Sequence, residues 1–331
     1  MKETNYYQIF GGVIIGVLFA FFISNESPIG YFNSSRAITL GISEQHQGTG
    51  KLTNPIIDCV NPEDQGAIDE LNISKFQLTD FVNKITSSGK VGFMSVYIRD
   101  LNNGPWIGVN EQETFIGGSL LKVPLLMSYM KLADADPSVL NKKILYRTQI
   151  ADNTQYFTPL KQIEVGKTYT VSELLTYMID YSDNNAAELL SAGLDTKVFN
   201  ETFQALGMGD PNVNEPYPVN TTTYSAFFRV LFNASYLSES SSEKTLELLT
   251  QSDFNQGITA LLPKNIIVAH KFGIRTQDNV NQLHDCGIVY YPKHPYLLCI
   301  MSRGGSFDDL ASGIAQTSKF VYDQVSTSVN N

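Results

Sequence analysis

The order in which strand-like and helix-like patterns follow one another limits the fold of this chain more than any single residue does. Segment 91–100 alternates apolar and polar residues, 102–104 reads as a turn, and 105–110 follows as a second strand. Helical spacing then dominates between about residues 119 and 250. Strands and helices segregated in this way are typical of an α+β fold rather than of a doubly wound sheet.

We therefore expect a two-lobed fold, in which an antiparallel sheet is flanked by helices and its middle is interrupted by an inserted all-helical lobe. Helices are predicted at about 76–85, 119–133, 171–181, 186–206, 223–232, 242–250 and 308–326, and late strands at 266–273, 285–291 and 295–302.

The N-terminal region has a different character. Residues 6–23 carry no charged side chain and follow Lys2. As a helix this stretch just spans ~30 Å of hydrocarbon, so we expect a membrane anchor after a short tail of residues 1–5. A cleaved signal peptide is the alternative, although no A-x-A-like site follows, and a buried helix is a further one. Lys2 favours an inside N-terminus, which places the rest of the chain extracytoplasmically, in the cell envelope.

Composition divides the remaining chain and limits its partners. Residues 24–70 are rich in Gly, Ser, Asn and Pro and read as a linker, whereas 71–331 has the patterning of a globular domain. The net charge of −10 disfavours nucleic acid as a partner, because phosphate binding requires basic patches. We expect a monomer that interacts with the membrane through its N-terminal helix.

The cysteines and histidines indicate neither a disulfide framework nor a metal centre. Three cysteines form no CxxC pair and no recognisable pairing pattern, so they do not reveal the redox compartment. The four histidines do not match zinc-ligand spacing, and we expect no metal and no cofactor. These residues are Cys59, Cys286, Cys299, His46, His270, His284 and His294.

The pattern Ser-x-x-Lys occurs four times, and its context distinguishes one copy. Ser119 follows two glycines and opens an apolar helix, with Lys122 three residues later on the same face. The N-terminus of a helix favours developing negative charge, and a desolvated lysine can act as the base that a serine hydroxyl needs. The alternative is an ordinary helix start with a solvated lysine.

Two further motifs follow in the helical block and in a late strand. Ser182, Asp183 and Asn184 lie between two helical patterns, where the alternative is a loop with a capping residue. Lys271 and Gly273 lie on a predicted strand. Together the motifs supply what acyl transfer through a serine ester requires: a nucleophile beside an amine, a hydroxyl that relays a proton, and a cation.

These motifs, in this order and with the string TVSELLTYMIDYSDNNAAELL, resemble the penicillin-recognising serine enzymes and most closely the class A β-lactamases. The resemblance covers about residues 70–326 and implies a serine β-lactamase/DD-peptidase-like fold. It also implies roles for matched residues. Ser119 would be the nucleophile with Lys122 as its base, Ser182 would relay a proton to the leaving nitrogen, and Asn184 and Lys271 would bind the substrate amide and carboxylate. The remaining implied group is the oxyanion hole, formed by the backbone N–H groups of Ser119 and Ile274 beside Gly273.

The sequence departs from the class A pattern in two places. Phe272 stands where a hydroxyl normally binds the substrate carboxylate, and Arg275 is our substitute, with an ordinary surface arginine as the alternative. Class A enzymes also carry a glutamate that activates the deacylating water. Glu215 is the candidate for this base, but its loop looks truncated and Asn220 lies five places after it rather than four.

Three functions remain open at this point. The first is a serine hydrolase that opens a β-lactam or related amide through a Ser119 acyl-enzyme. The second is a DD-peptidase or transpeptidase that acts on a peptide substrate, binds penicillins and deacylates slowly. The third is a non-catalytic envelope binding protein on the same scaffold. A binding protein does not need all five polar motif residues, so their presence argues against this alternative; they are Ser119, Lys122, Ser182, Asn184 and Lys271.

Overall fold

The computed structural model describes residues 43–46, 50–60, 73–151, 156–209, 211 and 217–330. Helices are α1 (Lys75–Ser87), α2 (Lys122–Ala135), α3 (Val171–Asp180), α4 (Asn184–Gly193), α5 (Thr196–Gln204), α6 (Thr221–Phe232), α7 (Glu239–Leu249) and α8 (Phe307–Asn330). Strands are β1 (Ser43–His46), β2 (Ile56–Val60), β3 (Phe93–Asp100), β4 (Trp106–Val109), β5 (Phe115–Ile116), β6 (Lys143–Leu145), β7 (Thr168–Thr170), β8 (Pro218–Val219), β9 (Val268–Gln277), β10 (Val280–Val289) and β11 (Tyr296–Arg303).

The main sheet has five antiparallel strands in the order β4-β3-β11-β10-β9. The first two strands of the sheet therefore come from the start of the domain and the other three from its end, with helices α2–α7 between them in the sequence. This arrangement confirms the predicted α+β fold with an inserted helical lobe. It leaves β9 at one edge of the sheet.

Two hydrophobic clusters cover the two faces of the sheet. The first joins the helical lobe to residues such as Tyr97, Ile288 and Met301 on one face. The second joins α1 and α8 to the opposite face, and the rings of Phe81 and Phe320 stack between these two helices at 4.4 Å. Alternation along the strands explains this division, because successive side chains point to opposite faces.

Several local features differ from the sequence-based prediction. The predicted helix 186–206 is two helices, because Asp195 accepts a hydrogen bond from Lys197 N and starts α5 as its N-cap. The hairpin between β9 and β10 turns at Asp278 and Asn279, which both have positive φ. The structure also contains two pairs of short strands that were not predicted, β5 with β8 and β6 with β7. None of these four strands is long enough to show a sustained alternation of apolar and polar residues in the sequence.

Part of the predicted linker packs on the domain. Strands β1 and β2 pair within it, and Glu243 accepts hydrogen bonds from the backbone N–H groups of Leu52 and Thr53. Within the ranges that the structure describes, no helix has both the length and the apolar character needed to cross a membrane. The predicted anchor, residues 6–23, lies outside those ranges.

Candidate active site

Ser119 lies on a tight turn at the edge of the main sheet. Residues Gly118–Leu121 form a 3-10 helix that leads directly into α2, so the serine precedes the α-helix rather than opening it. Tyr224 of α6 holds this turn in place, because its hydroxyl donates a hydrogen bond to Leu120 O at 2.8 Å. The half-buried Ser119 is thus held on a short, rigid segment.

Two glycines allow β9 to approach this turn closely. Gly118 has φ +53°, and a Cβ at this position would lie 2.6 Å from Ile274 O. A Cβ on Gly273 would in turn collide with Gly117 O. Only glycine satisfies both conditions, positive φ and close backbone approach, without strain. The structure therefore brings Ile274, the predicted oxyanion-hole residue, next to the turn that carries Ser119.

Lys122 is the first residue of α2 and is only 6% exposed. Its Nζ lies 2.6 Å from Ser182 O, 2.8 Å from Asn184 Oδ1 and 3.2 Å from Ser182 Oγ. Burial, together with the nearby charge of Lys271, holds the pKa of Lys122 well below its usual value, against the opposing effect of Asp183. The ε-amine thus has the environment of a base.

Ser182 and Asp183 connect α3 to α4. Ser182 adopts φ +54°, which is uncommon for a residue with a side chain and marks a conformation that its surroundings impose. Asp183 provides that surrounding structure: its Oδ1 accepts from Asn185 N and Ala186 N as the N-cap of α4. Its Oδ2 accepts from Ile163 N at 2.7 Å.

Lys271 is fully buried on β9, and its Nζ donates to Ser182 Oγ at 3.0 Å. Burial lowers the pKa of Lys271 to about 7, an effect that Asp285, Asp253 and Asp180 oppose. The hydroxyl of Ser182 therefore lies between two amines, those of Lys122 and Lys271. The structure thus brings Lys122, Ser182 and Lys271 together, and the turn that carries Ser119, three residues before Lys122, lies against the strand that carries Lys271.

Phe272 does not line an open cleft. Its ring is buried, stacks on Phe254 at 4.2 Å and meets Phe157 edge-on at 5.5 Å. Lys271 Nζ lies 4.0 Å from the ring centroid, within the range of a cation–π contact. Phe272 thus supports the lysine from the core side. Arg275 is exposed and, two residues beyond Gly273, lies on the same side of the strand as Lys271 by alternation.

Glu215 and Asn220 were the residues considered for the deacylation step, and the structure describes only the second of them. Glu215 lies outside the described residues. Asn220 is the N-cap of α6, with its side-chain Oδ1 accepting from Thr223 N at 2.8 Å and from Thr223 Oγ1 at 3.0 Å. Directly before it, β8 pairs with β5, which ends three residues before Ser119. The side-chain oxygen of Asn220 is therefore used in capping.

Sequence reasoning did not identify two acidic residues near Lys271. Burial, and then the charge of Asp253, raise the pKa of Asp180 to about 7. Within the described part of the chain, Oδ1 of Asp180 and Oδ1 of Asp253 are both buried without a hydrogen-bond partner. Asp180 lies two residues before Ser182 in the motif string and could have been noticed there, whereas Asp253 belongs to no motif.

The disulfide is a correction to the sequence-based reading. Cys286 and Cys299 are bonded and are register partners on β10 and β11. Their separation of 13 residues follows no pattern that a sequence reveals, because strand register decides it.

In the described residues no group of three His, Cys, Asp or Glu side chains could hold a metal ion. His284 is buried, which lowers its pKa to about 4, and His270 pairs with Asp285.

Comparisons with known proteins agree with this fold. The profile of the β-lactamase enzyme family matches residues 77–325. A β-lactamase of Bacteroides uniformis is 25% identical over 281 residues, covering 75% of this chain and 92% of that protein. A solved β-lactamase of Sphaerobacter thermophilus aligns with a TM-score of 0.67 at 18% identity, covering 77% of this chain and 98% of the other. The structure of PBP-A aligns with a TM-score of 0.63 at 22% identity, covering 76% and 96%.

The fold and these matches define the class of protein, a β-lactamase-like serine hydrolase. Because the family profile covers most of its length, the chain belongs to the β-lactamase enzyme family. The resemblance inferred from the three motifs is thereby confirmed.

Proposed function

We propose that this protein opens β-lactams or related amides through an acyl-enzyme on Ser119. The observation that carries the proposal is the placement of Ser182 Oγ between Lys122 Nζ, at 3.2 Å, and Lys271 Nζ, at 3.0 Å. This arrangement offers a base, a relay and a cation in one buried cluster. One structure of PBP-A, a protein of the same fold, is of an acyl-enzyme complex that a mutant of that protein forms with penicillin G.

Lys122 acts as the base in the first step. As a neutral amine it has two N–H groups, for which Ser182 O and Asn184 Oδ1 are acceptors, and one lone pair. The lone pair takes the proton of Ser119 Oγ as that oxygen attacks the substrate carbonyl carbon. The backbone N–H groups of Ser119 and Ile274 stabilise the negative charge that develops on the carbonyl oxygen.

Ser182 completes the step by moving the proton onward. Its hydroxyl donates to the leaving nitrogen as the amide bond breaks, and it recovers a proton from Lys122. Lys271, in its charged form, holds Ser182 Oγ and attracts the carboxylate of the substrate. Arg275, on the same side of the strand, adds a second positive charge for that carboxylate.

Slow deacylation is the second candidate behaviour. The capping role of Asn220 favours it, because its side-chain Oδ1 accepts from Thr223 N and Thr223 Oγ1 and is therefore engaged in starting α6 rather than in holding a water molecule. An acyl-enzyme that lacks an efficient base persists, as in a DD-peptidase or transpeptidase that binds penicillin. Glu215 remains the candidate base for fast turnover.

Intact-mass analysis of the full chain with penicillin G, followed over time, tests both candidates. We expect an adduct in the wild type and none in Ser119→Ala. Ser87→Ala and Ser241→Ala, from two other Ser-x-x-Lys copies, are the matched controls and should still form it. An adduct that clears while product accumulates supports a β-lactamase, and one that persists supports slow deacylation. An adduct that survives Ser119→Ala contradicts the proposed nucleophile.

We also propose that residues 6–23 anchor the protein and that its catalytic domain, a monomer, lies outside the cytoplasm. The uncharged stretch after Lys2 supports the anchor, and the disulfide between Cys286 and Cys299 supports an oxidising compartment. The full chain should stay with membranes after a carbonate wash, and a variant lacking residues 1–23 should not. Recovery of the full chain in the wash contradicts the anchor.

A further inference from the structure

A cavity lies apart from the catalytic cluster. It has a volume of about 980 Å³ and opens between the start of α3, the second half of α7 and the segment 250–268. None of Ser119, Lys122, Ser182 or Lys271 lines it. Volumes of this order are typical of sites for small molecules.

The rim of this cavity is positively charged. Lys51, Lys244 and Lys264 line it and are exposed, and Glu247 is the acidic residue among the lining side chains. Among the described residues, none of the three lysines forms a salt bridge. Three positive charges against one negative charge favour an anion, although the chain as a whole carries a net charge of −10.

Polar groups lie deeper in the same cavity. His270 lines it and is only 2% exposed, and its Nδ1 lies 2.8 Å from Asp285 Oδ1. The hydrogen bond to Asp285 holds the imidazole ring through Nδ1, so Nε2 is the ring nitrogen that this contact does not use. Thr259 also lines the cavity, and its Oγ1 is buried without a hydrogen-bond partner among the described residues. A buried polar atom without a partner is costly, and a bound ligand can satisfy it.

The walls between rim and base are apolar. They are formed by Leu248, Phe254, Leu262, Ile266 and Val268. Residues 51–52 close one side, and this closure is fixed because Glu243 accepts from Leu52 N at 2.8 Å and Tyr290 OH donates to Leu52 O at 2.9 Å. The cavity is thus a formed site with a charged entrance, apolar walls and a polar base.

We propose that this cavity binds a small organic anion, with a phosphate or carboxylate group held by the lysines and an apolar body against the walls. The ligand would lie across β9 from Lys271, because His270 and Lys271 are consecutive on that strand and point to opposite faces. The site is therefore distinct from the one that takes the amide substrate.

Calorimetric titration of the full chain, in neutral detergent, with phenyl phosphate tests the proposal. Inorganic phosphate and phenol serve as separate probes of charge and of apolar contact. We expect phenyl phosphate to bind more tightly than either. Equal affinity for phenyl phosphate and inorganic phosphate would overturn the proposed apolar contact, and the absence of binding would overturn the site.

Variants locate the binding. Lys244→Gln with Lys264→Gln should weaken phenyl phosphate binding roughly tenfold or more, since both lysines face the anion. Lys84→Gln with Lys142→Gln changes the net charge equally at exposed lysines that do not line the cavity and should leave binding unchanged. Ala260→Trp, at an exposed lining position, should block the cavity. Equal weakening in both lysine pairs, or full binding in Ala260→Trp, contradicts the site.

Discussion

At the scale of single residues, the question is which of the two amines around Ser182 Oγ, those of Lys122 and Lys271, carries the positive charge. Both are buried, and each disfavours a proton on the other. Lys271 has three carboxylates nearby, Asp285, Asp253 and Asp180, that favour its charged form. We infer that Lys271 is the cation of the pair and that Lys122 is the base.

The rate of acylation should therefore depend on pH through Lys271. Its pKa is lowered to about 7, so it is charged below that pH and becomes neutral as pH rises above it. The second-order rate constant for acylation by an anionic β-lactam should fall as pH rises through about 7. Stopped-flow kinetics with a chromogenic cephalosporin would measure this limb.

Lys271→Arg provides the control for this prediction. Arginine keeps its charge throughout the accessible range, so the fall in rate near pH 7 should disappear even if the overall rate is lower. If the acylation rate of Lys271→Arg still falls at the same pH as that of the wild type, the fall is caused by the titration of another group.

At the scale of elements, close contact between β9 and the Ser119 turn depends on Gly118. In Gly118→Ala the new Cβ lies 2.6 Å from Ile274 O, so the turn or the strand must move. We expect acylation to slow by about 100-fold, because a displacement of about 1 Å near reacting groups has an effect of this size.

Gly166→Ala is the matched control for Gly118→Ala. Gly166 also has a positive φ, +86°, but a Cβ there meets nothing within 4 Å. It should lose about 1 kcal/mol of stability and keep its acylation rate. Equal acylation rates in the two variants would show that the close approach to Ile274 does not matter.

Two aspartates that cap neighbouring helices should differ in their contribution to stability. Asp195 is exposed and accepts from Lys197 N, so Asp195→Ala should cost about 1 kcal/mol. Asp183 is buried and accepts from Ile163 N as well as from two N–H groups of α4. Asp183→Ala should cost about 3 kcal/mol or more, because these donors lose their acceptor.

Urea unfolding followed by circular dichroism would give both free energies of unfolding. A cost for Asp183→Ala no larger than that for Asp195→Ala would mean that the link from Asp183 to Ile163 contributes nothing.

At the scale of the whole molecule, a disulfide joins two central strands of the sheet. Cys286 of β10 pairs with Cys299 of β11, and Cys286 is also the register partner of Lys271 on β9. Replacing both cysteines with alanine should lower the free energy of unfolding by about 2–4 kcal/mol. Reductant should destabilise the wild type but not the double variant.

Cys59→Ser is the control for effects of the third cysteine, and it should respond to reductant as the wild type does. Wild-type stability that is unchanged by a reductant strong enough to free both thiols, as confirmed by mass, would contradict a stabilising role for the bond.

Much of the fold was predictable because long elements carry their own periodicity. The alternation in β3 and the helical spacing in α3 and α8 have physical causes within each segment. The pairs β5 with β8 and β6 with β7 were missed, since strands of two or three residues exist only through their partners. The bond between Cys286 and Cys299 was missed for the same reason, because register is a property of two strands.

The sequence by itself determined which groups can react, since Ser119, Lys122, Ser182 and Lys271 are recognisable from their order and context. Tertiary structure alone decided the protonation states of the two lysines and the side chains that pack around them. Burial sets the low pKa of Lys122, the fold brings the carboxylates of Asp180 and Asp253 close to Lys271 from other elements, and the ring of Phe272 turns into the core. Desolvation and the distance between charges depend on the whole fold, and no local pattern encodes them.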